Sequence, residues 1–295
     1  MPTRLPLLGT RIVRICMLAI GLGLVVGCVA RLLTMLIGLI TNLTFHQTWS
    51  TAFSRPAGHH LGAWVIVVPA LGGLVVGAMA RWGSRAIRGH GIPEAMEQVL
   101  TNESRIPARM TWLKPVSSAI AIGTGGPFGA EGPIIATGGA LGSFLGQRVP
   151  VSADERKTLL AAGAAAGMAA VFSAPVSAVL LSIELLLFER RARSLLPVAL
   201  AAATGTGVRF ALEGPGPVFP MPALAAVAPQ ALIVYALLGL LMGVAGVLIT
   251  RLTYGIEDAF EKLPIHWMWW PALGGLVVGA VGYVMPETLG VGYDN

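Results

Sequence analysis

The sequence predicts an all-α polytopic membrane protein built of two homologous halves, the second incomplete, with broken and tilted helices. Three observations carry that expectation. The 295 residues are 55% hydrophobic and 12% charged, with a mean hydropathy of +0.76, too apolar for a soluble chain of this length. The ten residues PALGGLVVGA at 69–78 recur without change at 271–280. Finally, the stretch GTGGPFGAEGPIIATGG at 123–139 interrupts an apolar run with glycines and a single carboxylate, Glu131.

Taken in order, apolar segments place spans at 12–42, 62–80, 113–148 (broken), 157–189 (a hairpin split near Ser173 to Pro175), 194–212, 229–256 and 267–285. The first run follows Arg4, Arg11 and Arg14, as a signal peptide would, but continues through Arg31 to about Ile40, which predicts an uncleaved span. Its two cysteines, Cys16 and Cys28, lie twelve residues apart. On a helix that is about 18 Å, too far for a disulfide, so both are expected in the core. The loop at 41–61 holds one arginine, whereas 81–114 holds Arg81, Arg85, Arg88, Arg105, Arg109 and Lys114. By the positive-inside rule the N-terminus and this second loop are cytoplasmic.

The repeated decapeptide follows a tryptophan-containing apolar lead-in in both places and precedes a glycine-rich loop, which divides the chain into a first membrane repeat at 1–212, a linker rich in proline and glycine at 213–228, and the start of a second repeat at 229–295. The 38 glycines suit close helix packing in lipid. A net charge of +6 is scattered between apolar runs and makes no nucleic-acid patch. No nucleophile motif and no metal cluster appears, so neither an enzyme nor a cofactor site is expected; the outer doublet His59 and His60 is too small for one.

Chemistry concentrates in two loops. In Gly129, Ala130, Glu131, Gly132 and Pro133, the proline occupies the first turn of a helix, so Glu131 lies at an N-terminus whose backbone N–H groups attract anions. A carboxylate there occupies an anion site when no mobile anion does, which is the behaviour of a gate. The second loop, Gly89, His90, Gly91, Ile92 and Pro93, opens a short helix through about Leu100 in the same way. Two half-helix ends aimed at one point hold an anion without a full basic charge, and so release it quickly. Taken singly, either loop also reads as an ordinary turn, and Glu131 as a carboxylate capping its own helix.

These motifs resemble those of the CLC family of chloride channels and chloride/proton antiporters. GHGIP at 89–93 is similar to the family's GSGIP element, GAEGP at 129–133 to its GREGP element, and GAAAGMAAVFSAP at 163–175 matches a third pattern. The resemblance covers nearly the whole chain. It implies a CLC-type inverted-repeat fold, a glutamate-gated chloride pore in each subunit of a homodimer, a place in the bilayer of the cell membrane, and a dimer interface near 173–211. Four departures stand out. His90 replaces the usual anion-contacting serine, Ala130 replaces a basic residue, and Leu185 stands where antiporters carry an internal proton-transfer glutamate. The second-half GxFxP element and pore tyrosine would lie beyond Asn295, so the chain is expected to be partial. The alternatives to a channel are therefore a chloride/proton antiporter or a nonconducting fragment. Glu184 is a candidate for the proton pathway if it shares a helical stripe with Ser173 and Ser177; otherwise it belongs to the charged helix end with Glu189, Arg190, Arg191 and Arg193.

Overall fold

A computed structural model describes residues 9–89, 91–216, 218–219, 229 and 231–292. His90 and most of the expected linker lie outside the described residues. Every regular element among them is helical. These are α1 (Thr10–Thr41), α2 (Val67–Ala78), α3 (Ile92–Thr101), α4 (Met110–Gly123), α5 (Glu131–Arg148), α6 (Ala153–Phe172), α7 (Pro175–Ser182), α8 (Ala192–Glu213), α9 (Ala231–Glu261) and α10 (Trp270–Val284). Five helical segments among the described residues are long and apolar enough to cross a membrane.

The bundle centres on α6, a 20-residue alanine- and glycine-rich helix packed against α1, α5, α7 and α8. Ser152 and Glu155 start it with reciprocal bonds: the Glu155 N–H donates to Ser152 Oγ at 3.3 Å, and the Ser152 N–H to Glu155 Oε2 at 2.8 Å. Small side chains then let backbones touch. A Cβ on Gly138 would lie 2.2 Å from Gly163 O, and one on Gly163 would lie 2.1 Å from Gly138 O, so α5 and α6 meet glycine to glycine.

The two copies of the decapeptide pack on each other reciprocally. A Cβ on Gly73 of α2 would stand 2.3 Å from Pro271 O, and one on Gly275 of α10 would stand 2.5 Å from Pro69 O. One helical turn along, Gly77 meets Met268 O at 2.1 Å and Gly279 meets Ile66 O at 2.3 Å. Gly73 and Gly275 hold the same place in the repeat, as do Pro69 and Pro271, so each contact has a twin under exchange of the copies. Rising numbers on α2 meet falling numbers on α10, so the pair is antiparallel. A two-fold axis relating antiparallel membrane helices lies in the membrane plane, which makes the repeats inverted.

Two expectations need correction. Cys16 is buried, but Cys28 is exposed, because α1 presents only one face to its neighbours. The stripe through Ser173, Ser177 and Glu184 is not carried by one uniform helix. Ser173 adopts a left-handed conformation (φ 55°) between α6 and α7, and Ile183–Leu187 is π-helical. Either change of winding shifts the angular register that the spacing assumed.

Candidate functional site

α4 runs in from the arginine-rich side and stops inside the fold. Thr124 Oγ1 donates back to Ile120 O at 2.8 Å, and Gly125, at φ +99°, turns the chain so that the Gly126 N–H reaches Ala121 O at 3.0 Å. The chain re-enters helix at Glu131, the first residue of α5, with Ala130 buried beneath it as the N-cap. Among the described residues the Glu131 carboxylate makes no hydrogen bond or ion pair, and the residue is exposed to the cavity it lines. It is therefore not a carboxylate capping its own helix.

That role belongs to Glu94 in α3. The Gly91 N–H donates to Glu94 Oε2 at 2.6 Å, so the first donor of this half-helix is already taken by its own side chain. Gly91 sits at φ +101°, and a Cβ there would be 2.4 Å from Gly132 O, so the starts of α3 and α5 are in direct contact. Lys114 of α4, which is 4% exposed, ties the same loop down: its Nζ donates to Ile87 O at 2.8 Å and Gly89 O at 2.9 Å. Removing those two charge-assisted bonds while leaving the carbonyls buried costs about 2 kcal/mol or more. Lys114→Met is accordingly expected to lower the thermal midpoint by several degrees, whereas Lys262→Met, on an exposed helix end, is expected to leave it in place; equal midpoints for both variants would refute the anchoring role.

Around these loops lies a cavity of about 690 Å³. Gly89, Ile92, Gly129, Glu131, Gly132 and Pro133 line it, joined by Lys114, Ser117, Ser118 and Phe128. Gly91 and Ala130 are buried and Pro93 is exposed elsewhere, and none of the three lines the cavity. The second repeat contributes Trp267, Trp270 and Pro271. Arg85 and Arg88 lie 5.8 and 4.8 Å from the Trp267 ring, and Arg81 Nη1 is 2.6 Å from His266 Nε2, so three arginines of the first repeat grip the second at one mouth. Glu184 is exposed and does not line the cavity.

Helices broken at a shared cavity between inverted repeats define a multi-pass membrane protein of the transporter class. Residues 71–295 match the family described as Voltage gated chloride channel, and the chain belongs to this CLC family. It is 30% identical over 245 residues to the voltage-gated ClC-type chloride channel ClcB of Citrobacter koseri, covering 81% of this chain and 58% of that one. With the H(+)/Cl(-) exchange transporter ClcA of Vibrio vulnificus it shares 32% over 240 residues, covering 77% of this chain and 50% of that one. The chain spans about half the length of these curated relatives. In fold it is similar to a slow cyanobacterial Cl-/H+ antiporter, at TM-score 0.81 and 22% identity, covering 95% of this chain and 66% of that one.

Proposed function

We propose that the chain carries a chloride-conducting pathway in the cell membrane, an ion conductor and not an enzyme, with Glu131 as the mobile gate. The observation that carries this reading is a carboxylate at a helix N-terminus, free of partners among the described residues, facing a cavity also lined by the loop pinned by Lys114. The anion would rest in the cavity beside the α5 N-terminus and the cavity-lining residues Gly89 and Ile92 of the neighbouring loop, a site that binds through partial charges and releases readily. Purified chain in liposomes is expected to release chloride faster than protein-free liposomes, and equal rates would sink the proposal in favour of a nonconducting membrane fragment.

His90, within the anion-binding loop, would tune selectivity, since an imidazole donor differs in reach and charge from a hydroxyl. His90→Ser is expected to change the chloride-to-nitrate permeability ratio, read from anion-exchange currents; an unchanged ratio would demote the residue to a turn.

Uncoupled conduction is favoured over chloride/proton exchange by two features: Leu185 carries no proton, and Glu184 lies off the cavity. An imposed chloride gradient is expected to move no protons; proton uptake that Glu184→Gln abolishes would reverse this reading. A homodimer would pair through α7 and α8, where Val176, Leu180 and Leu196 are exposed apolar residues.

A further inference from the structure

α1, α6 and α8 begin together on the arginine-rich side and end together on the other. At the start, Arg11 Nη2 of α1 donates to Glu155 Oε2 of α6 at 3.0 Å, and α8 opens among Arg190, Arg191 and Arg193. At the far end the three helices enclose a shallow pocket lined by Gly27, Ala30 and Arg31 of α1, Ala170 of α6, and Arg209 and Glu213 of α8. Arg31 lies 21 positions after Thr10 and Arg209 lies 17 after Ala192, or about 31 and 26 Å of helix. Those lengths match the hydrocarbon thickness of a bilayer, so the pocket opens at the interface where lipid phosphates lie.

Its charge is unbalanced. Each oxygen of the Glu213 carboxylate is used once: Arg31 Nη1 donates to Oε1 at 2.7 Å and Arg209 Nε to Oε2 at 3.1 Å. Two guanidinium groups share one carboxylate, leaving a net positive charge beside apolar walls. Arg209 is only 13% exposed at its side chain, and its Nη1 is buried without a hydrogen-bond partner among the described residues. A buried guanidinium N–H costs free energy until an acceptor reaches it, and Arg31, 44% exposed, has donors to spare on the open side.

We propose that this pocket binds a phosphate group, the phosphodiester of a lipid in the leaflet opposite the arginine-rich face, held by Arg31 and Arg209. Two planar donor forks match the oxygens of a phosphate. Gly27, Ala30 and Ala170 form the apolar floor of the pocket, where the glycerol end of the lipid would lie against the surface. Glu213 holds the two guanidinium groups in place and prevents the site from taking a bare anion too tightly. This inference does not depend on the chain conducting.

The test is lipid binding to the purified 295-residue chain in neutral detergent, read by native mass spectrometry and by the thermal midpoint. Phosphatidylglycerol is expected to remain bound and raise the midpoint, while a phosphate-free glycolipid with the same acyl chains does neither. Arg31→Gln is expected to weaken phosphatidylglycerol binding about tenfold, with Arg31→Lys intermediate. Because Arg209 is nearly buried, Arg209→Gln is judged only if its midpoint without lipid is unchanged; Arg31, at the surface, keeps the test open in either case. Inorganic phosphate identifies the source: millimolar phosphate that displaces the lipid in the wild type and not in Arg31→Gln supports the same site taking a free ion. Equal retention of phosphatidylglycerol and glycolipid, or binding unaltered by Arg31→Gln, would overturn the proposal.

Discussion

Replacing Glu131 with glutamine is expected to raise chloride flux at neutral pH about tenfold or more and to flatten its dependence on pH. In the proposed gate the ionised carboxylate would compete with chloride for the same N–H groups at the start of α5, and a charge-assisted bond there would be worth roughly 1.5–3 kcal/mol, a factor of at least ten in occupancy. Glutamine keeps the size of the side chain and loses the charge, so it competes poorly and no longer titrates. The geometry admits the swing, because Glu131 is bound to nothing else among the described residues. Glu184→Gln should leave flux and pH profile alone. The measurement is chloride efflux from liposomes between acidic and neutral pH, and a Glu131→Gln profile that follows the wild type would remove Glu131 from the gate.

Gly77→Val should prevent the chain from assembling. The added Cβ alone would sit 2.1 Å from Met268 O, and the obstacle is backbone, so no rotamer change relieves it. Overpacking of this kind costs about 1–3 kcal/mol where side chains can shift, and more where two helices must part. The same reasoning applies to its twin, Gly279→Val, whose Cβ would meet Ile66 O at 2.3 Å. Gly21 on α1, with nothing within 4 Å of its Cβ position, is the control and should accept valine at little cost. Yield of monodisperse protein on size-exclusion chromatography reads the result; a normal yield for Gly77→Val would mean that α2 and α10 do not touch as described.

Much of this architecture could be read from residues alone. The seven expected spans correspond to helices, and the break after Gly123 and the start at Glu131 stand where glycine and proline punctuate the apolar run. The repeated decapeptide foretold two related halves, though not that the copies would press against each other. The site was legible only in part. Lys114 counted as one more cation of a cytoplasmic loop, and its anchoring of Ile87 and Gly89 depends on α4 folding back over them, which no local pattern records. Glu94 drew no attention in the sequence, yet it takes a donor of the loop that had been assigned to an anion. Arg88 and Trp267 are 179 positions apart in sequence and meet only because the repeats close on each other. The stripe to Glu184 rested on uniform α-helical winding from Ser173, and the chain breaks at Ser173 and turns π-helical at Ile183.

The glycine seam between α2 and α10 fits only when its two halves are threaded through the bilayer in opposite senses. The decapeptides are identical, so nothing inside them sets direction. Direction comes from their flanks: Arg81, Arg85 and Arg88 follow the first copy, whereas Arg251 and Lys262 precede the second. Cations retained on one side of the membrane therefore hold back the tail of one copy and the head of the other during insertion. Moving positive charge from 81–88 to the loop before Gly62 would deliver both copies pointing the same way, and two faultless helices would have no partner to close on.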